Sequence, residues 1–247
     1  MLGIVPAAGS ASRLQPLGGS KELLPLGSHP GRLRVVAEYL LERMFLAGAE
    51  RVCLVVSGDK SDLLRYFSRL PVAERLFFVL QPEPAGLCDA VFRATPFVRP
   101  DEPVLIGLPD TLWHPASAFT GAVRSSVHLI TFPVQRPEDF DAVLETAPGC
   151  VRRVEVKQPG PPDRRVWGAI TAPGEVFHRL DRFWRARGQK DQYLGDLFNA
   201  WMAQGEPVTC DHSGTHYWDI GTPAGYQRAI THRAWQAPAT SSEAEAA

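Results

Sequence analysis

Four near-continuous apolar runs mark the first half of the chain: residues 2–5, then "RVCLVVS" at 51–57, "RLFFVLQ" at 75–81 and "PVLIGLPD" at 103–110. Strands covered on both faces read this way, whereas a half-solvated sheet alternates apolar with polar residues. Between the first two runs, Leu33, Val36, Ala37, Leu40, Leu41 and Met44 recur at the spacing of one helix face, and Gly48 can end that helix. Shorter helices are predicted around 63–70 and over 86–95. Apolar strands joined by helices of this length predict parallel βαβ units. The first half should therefore form a doubly wound, mostly parallel, Rossmann-like α/β sheet.

The second half is more mixed. "VHLITFPV", "DAVLET", "VRRVEVK" and "RVWGAITA" are strand candidates with little helical sequence between them, which predicts a mixed, partly antiparallel extension of the sheet. Helices follow near 175–187 and 194–204, then the strand "HYWDIG". A last helix opens with Thr222 as N-cap and Pro223 in its first position.

At 247 residues, the chain is expected to be one domain over 1–238, with a first half at 1–115, a second at 116–238, and a small, polar, acidic tail at 239–247 that frays. The formal net charge of -1 excludes a broad cationic surface for nucleic acid or an anionic membrane, so any phosphate binding must be local. No apolar stretch approaches the roughly 18 residues of a membrane span, and the N-terminus lacks the pattern of a secretory signal. A cytoplasmic protein is expected. Cys53, Cys88, Cys150 and Cys210 are widely spaced with no C-x-x-C pair, so reduced thiols packed as small apolar residues are expected rather than zinc or disulfides.

The first strand delivers the chain into "PAAGSASR". Ligands of open α/β sheets sit beyond the carboxyl ends of the strands. The small side chains of Ala7, Ala8, Gly9 and Ser10 would let backbone N–H groups approach a polyphosphate. The loop is not the dinucleotide fingerprint, since Ala11 and Leu14 stand where glycines would, and it is not a P-loop, since no G-K-[ST] closes it. A tight turn without ligand remains the alternative. Only four of the 26 basic residues are lysines, Lys21, Lys60, Lys157 and Lys190. Lys21 and Lys157 each adjoin a recognisable segment, and an ammonium is a compact charge suited to a moving phosphate, although either could also be a solvated surface lysine.

"PAAGSASRLQPLGGSKELLPLG" resembles the signature loop of sugar-nucleotide pyrophosphorylases, in which a Gly-rich loop, an Arg, a Pro and a Lys follow in that order. Further matches keep the family's order: "QPEPAGLCDAV" resembles its nucleobase-holding segment through Gln81 and Gly86; "LPDT" its G-D-T through Asp110; "VEVKQPG" with "VWGAI" its E-K-P and glycine through Lys157 and Gly168; "YWDIGTPAGY" its W-x-D-[IT]-G-T-P through Asp219. The resemblance implies a GT-A-like fold, a monomer or homodimer, and a sugar-1-phosphate nucleotidyltransferase acting on a nucleoside triphosphate, dTTP or UTP by the resemblance of "QPEPAGL"; no allosteric domain is expected. It further implies Mg2+ on Asp110 and Asp219, Arg13 and Lys21 near the leaving pyrophosphate, and Lys157 and Gly168 at the sugar phosphate.

This set suits the chemistry. In-line attack on the α-phosphorus requires two anions to be held together and charge on the leaving group to be stabilised, with no covalent protein intermediate. The chain departs from the pattern where the family contacts sugar hydroxyls: Val156 replaces the glutamate before the second lysine, and Tyr193 the acidic residue of "YLGDLF". These departures leave a non-catalytic nucleotide-sugar binding module as the alternative, which pyrophosphate release would separate from an enzyme. His212 and His216 are expected to be ordinary surface residues rather than a metal pair with Asp219, because strand alternation puts Asp219 on the face opposite His216. Trp167 and Trp218 are expected in the core.

Overall fold

The computed structural model describes residues 1–10, 12–29 and 31–232. The elements run β1 (Leu2–Pro6), β2 (Pro25–His29), β3 (Arg32–Val35), α1 (Val36–Leu46), β4 (Arg51–Val56), α2 (Ser61–Phe67), β5 (Leu76–Leu80), α3 (Gly86–Phe92), β6 (Pro103–Gly107) and β7 (Thr111–His114). The second half contributes β8 (Val127–Pro133), β9 (Asp141–Ala147), β10 (Cys150–Val156), β11 (Arg165–Pro173), α4 (Gly174–Ala186), α5 (Leu194–Met202), β12 (Val208–Asp211), β13 (His216–Asp219) and α6 (Pro223–His232). Ala11 and the tail at 239–247 lie outside the described residues.

Nine strands form one sheet in the order β5-β4-β1-β6-β11-β8-β12-β10-β9. The first four are parallel and carry the four apolar runs of the sequence. β11 pairs antiparallel with both β6 and β8, so the sheet passes without a break into the mixed half. On one face Val52 and Leu54 pack with Leu40 and Met44 of α1 and Leu63 and Phe67 of α2. On the other, Cys53 and Val55 join one cluster with Cys88 of α3, Phe177 of α4 and Phe198 of α5.

Local details differ from the sequence reading. The helical stripe begins at Val36 rather than Leu33, because Arg32–Val35 pair with β2 in a small hairpin and Leu33 is left 65% exposed. The helix expected over 86–95 stops at Phe92, with a separate single turn at Thr95–Phe97. β12, too short to be singled out in the sequence, slots between β8 and β10 and alternates buried Val208 and Cys210 with half-buried Thr209 and Asp211. Cys53, Cys88 and Cys210 are buried, as expected of thiols packed as small apolar residues, but Cys150 is exposed at the start of β10. Thr222 does cap α6, its Oγ1 accepting the Gly225 amide at 3.1 Å.

Candidate active site

β1 ends at Pro6, and its chain continues over the carboxyl edge of the parallel strands, with the Ala7 amide still donating to Val55. Ala7 is buried, whereas Gly9 and Ser10 are exposed. A methyl group on Gly9 would lie 3.7 Å from Lys21 Nζ, so the bare backbone and the lysine share one concavity. Two fasteners hold the segment carrying Lys21. Asp62 accepts both the amide and the hydroxyl of Ser20 at 2.8 Å, and buried Glu22 receives Lys60 Nζ at 2.8 Å.

The two carboxylates are brought together by a second, two-stranded sheet. β7 and β13 pair antiparallel, with Asp219 opposite Thr111, and the Ile220 amide donates to the Asp110 carbonyl at 2.8 Å. Arg43, itself buried, supports this pair from α1 by donating to the Trp113 carbonyl at 2.7 Å. Gly221 marks the meeting point of the acids. A methyl group there would come within 2.6 Å of Asp110 Oδ2, 2.9 Å of Asp219 Oδ1 and 3.1 Å of Arg13 Nη2. Each acid has one cation from the opening loop: Lys21 Nζ lies 2.6 Å from Asp110, and Arg13 Nη1 3.1 Å from Asp219. Burial and the neighbouring Asp110 push the Asp219 carboxyl up, with Arg13 opposing. For Lys21, burial works against the ammonium, but Asp110 outweighs it and the pKa is raised. Two oxygen-only, anionic donors converging beside a glycine fit Mg2+, which takes oxygen ligands and fills its remaining positions with water and phosphate.

Arg13, Lys157 and Asp219 border a cavity of about 890 Å3, walled also by Phe140, Tyr217 and Trp218. Lys157 adopts a left-handed backbone (φ 48°), anchored by its amide on the Phe140 carbonyl at 3.0 Å, and its Nζ sits 4.6 Å from the centre of the Tyr193 ring. Gly168 is covered by Tyr217: a methyl group there would come within 2.4 Å of Tyr217 Cε2, so the glycine seats a cavity wall rather than presenting a group of its own. Gln81 and Gly86 do not border this cavity and meet instead at the start of α3. The Gln81 amide nitrogen donates to the Gly86 carbonyl at 3.1 Å and to Asp89 at 2.8 Å. Gly86 has φ 93° and packs against Gln192, where any side chain would collide at 2.9 Å.

His216 stacks on Trp218, with ring planes 4° apart, and His212 pairs with Glu145, so neither joins Asp219. Trp167 is core as expected, but Trp218 is only partly buried and walls the cavity. Sequence reasoning passed over Glu22, Lys60, Asp62 and Asp141. The scarcity of lysine was the one signal that pointed toward Lys60.

The nucleotidyl transferase family matches the chain over residues 2–234, a span that takes in both carboxylates, both loop cations and Lys157. The chain belongs to that family. This nucleotidyltransferase is 23% identical to the UTP–glucose-1-phosphate uridylyltransferase of Mycoplasma pneumoniae, over 94% of this chain and 91% of that one. Its fold matches a Bacillus anthracis protein assigned as a glucose-1-phosphate thymidylyltransferase with a TM-score of 0.77, at 21% identity, covering 94% of this chain and 95% of the other. It also matches a UTP-bound UDP-glucose pyrophosphorylase of Acinetobacter baumannii with a TM-score of 0.74, at 19% identity, covering 99% and 96%. These likenesses establish the GT-A-like, Rossmann-type architecture of the nucleotidyltransferase. Among the described residues, no helix is long and apolar enough to cross a membrane.

Proposed function

We propose that this nucleotidyltransferase condenses UTP or dTTP with a sugar-1-phosphate, releasing pyrophosphate and forming a nucleoside-diphosphate sugar. The observation that carries this reading is the convergence of Asp110, Asp219 and Arg13 around Gly221, with Lys21 on Asp110 and Lys157 on the same cavity as Asp219. A phosphate oxygen of the sugar-1-phosphate attacks the α-phosphorus, and the bond to the β-phosphate oxygen breaks. The nucleophile is already an anion, so no general base is required.

The chain's own groups serve as orienters and charge partners. The Ala7, Ala8, Gly9 and Ser10 backbone receives the triphosphate, and Arg13 and Lys21 leave their carboxylates for the departing pyrophosphate. Lys157 holds the sugar phosphate against the repulsion of the triphosphate. Mg2+ on Asp110 and Asp219 would supply charge neutralisation across the phosphates. Gln81 reads the base through Oε1: its amide nitrogen is committed to Gly86 and Asp89, which orients the amide, and Oε1 has no hydrogen-bond donor among the described residues. That oxygen can accept the imide N–H of uracil or thymine, a proton that cytosine and adenine lack on the corresponding ring nitrogen.

The test is a matrix of five nucleoside triphosphates against a panel of sugar-1-phosphates, scored by pyrophosphate release. Turnover led by UTP or dTTP is expected. A clear GTP preference overturns the assignment of the base, and no release with any pair overturns the reaction.

A further inference from the structure

Among the buried acids of the described residues, Glu22, Glu38, Glu102, Asp110, Asp181 and Asp191 each face a lysine or arginine within 4 Å, and Asp141 does not. Asp141 opens β9 and is only 8% exposed. Its Oδ2 accepts the indole N–H of Trp167 at 3.2 Å, and among the described residues no hydrogen bond engages the other oxygen. A carboxylate offers about four lone-pair sites, and the second oxygen is not among the fully enclosed unpartnered atoms of the described residues, so it retains acceptor capacity for a ligand. Its surroundings are those of the proposed sugar half-site. Asp141 stands directly opposite Val156 in the β9–β10 register, and Val156 precedes Lys157. A methyl group on Gly195, in the first turn of α5, would lie 2.7 Å from Val156 Cγ2 and 3.3 Å from Asp141 Oδ2. The residue before α5 is Tyr193, over whose ring Lys157 Nζ sits.

We propose that Asp141 is a specificity-determining carboxylate that accepts a hydrogen bond from a ring hydroxyl of the sugar whose phosphate Lys157 holds; this rests on the function proposed above. The chain offers an apolar Val156 on one strand and an acid at the facing position of the next, so the polar recognition of this patch is carried by β9. Trp167 fixes the carboxyl's rotation and leaves one oxygen for the ligand. Burial pushes the Asp141 carboxyl up to about 6, with Trp167 and Lys157 opposing and Asp196 adding to the rise. A sugar hydroxyl donating to the second oxygen would favour the ionised form of this carboxyl.

The test compares wild type, Asp141→Ala and Asp141→Asn with UTP and glucose-1-phosphate, together with the 2-, 3-, 4- and 6-deoxy analogues of the sugar phosphate. Asn keeps the shape and an oxygen for Trp167, and so guards against a folding failure. In both variants KM for glucose-1-phosphate should rise about tenfold or more, while KM for UTP stays within about twofold. Wild type should lose a similar factor against one particular deoxy analogue, and Asp141→Ala should not distinguish that analogue from the parent sugar. If wild type turns over and Asp141→Ala keeps its KM for the sugar phosphate, still penalises the same analogue, or loses equally against UTP, Asp141 is only a structural partner of Trp167. A wild type that releases no pyrophosphate from any pair overturns the reaction itself, and this assignment with it.

Discussion

Lys21 Nζ rests 2.6 Å from Asp110 Oδ2, so the cation of the opening loop and an acid at the end of β6 neutralise each other before any phosphate arrives. Arg13 does the same for Asp219 at 3.1 Å. The site is therefore assembled as two ion pairs, and bound phosphate would exchange both cations onto its own oxygens. Such an arrangement keeps two neighbouring like charges, one buried and one half-buried, from destabilising the folded protein.

If Asp110 and Asp219 hold Mg2+, each Asp→Asn variant keeps the shape of the site but loses the charge that retains the ion. A fall in kcat of about a hundredfold or more is expected for either, with the circular dichroism spectrum unchanged. Excess chelator should abolish wild-type turnover, and added Mg2+ should restore it. Full activity in either variant, or in chelator, removes the assignment.

Gly221 should be irreplaceable for a steric reason. A Cβ there meets Asp110 Oδ2 at 2.6 Å and Asp219 Oδ1 at 2.9 Å, closer than side-chain atoms tolerate. Gly221→Ala is expected to separate the acids, to weaken Mg2+ binding in direct titration and to lower kcat. The β7–β13 pairing is maintained by backbone bonds, so the thermal midpoint should fall by no more than a few degrees. Unchanged metal affinity in this variant would show that the acids do not converge as described.

Lys60 is a tether rather than a phosphate ligand. It and Glu22 are both almost fully buried, and burial pushes the Glu22 carboxyl up while Lys60 holds it down. Lys60→Met would leave an unpaired buried acid, which costs about 3–5 kcal/mol. The thermal midpoint should drop accordingly, and the double variant Lys60→Met/Glu22→Met should recover most of the loss. A double variant as unstable as the single one would place the effect elsewhere.

Much of this was legible in the chain. The four parallel strands read directly from their apolar runs, because a strand covered on both faces has no alternative pattern to hide in. Asp110 and Asp219 stood out through the family resemblance of "LPDT" and "YWDIGTPAGY", and Lys21 and Lys157 because lysine is scarce in this chain and each adjoins a recognisable segment. What the sequence could not display was pairing between distant segments. The β2–β3 hairpin hid because Leu33 happens to fall in phase with the helix that follows. Asp141 hid for a different reason: its significance lies in facing Val156 and Trp167, neither of which is its neighbour along the chain.

The two lysines should separate the two substrates. Lys21 sits on Asp110 beside the loop backbone that is proposed to receive the triphosphate, whereas Lys157 borders the cavity, above Tyr193 and next to the β9–β10 pair. Lys21→Ala should therefore weaken use of the triphosphate and, in the reverse direction, use of pyrophosphate, because its partner is the leaving group. Lys157→Ala should leave calorimetric binding of UTP within about twofold, and its deficit should appear against the sugar-1-phosphate in both KM and kcat. Each charge-assisted contact is worth about 1.5–3 kcal/mol, so losses of about ten- to a hundredfold are expected. Steady-state kinetics with each substrate varied in turn makes the comparison. If Lys157→Ala abolished UTP binding while Lys21→Ala left it intact, the half-sites would be exchanged: the loop after β1 would serve the sugar phosphate, and the cavity beside Tyr193 the nucleotide.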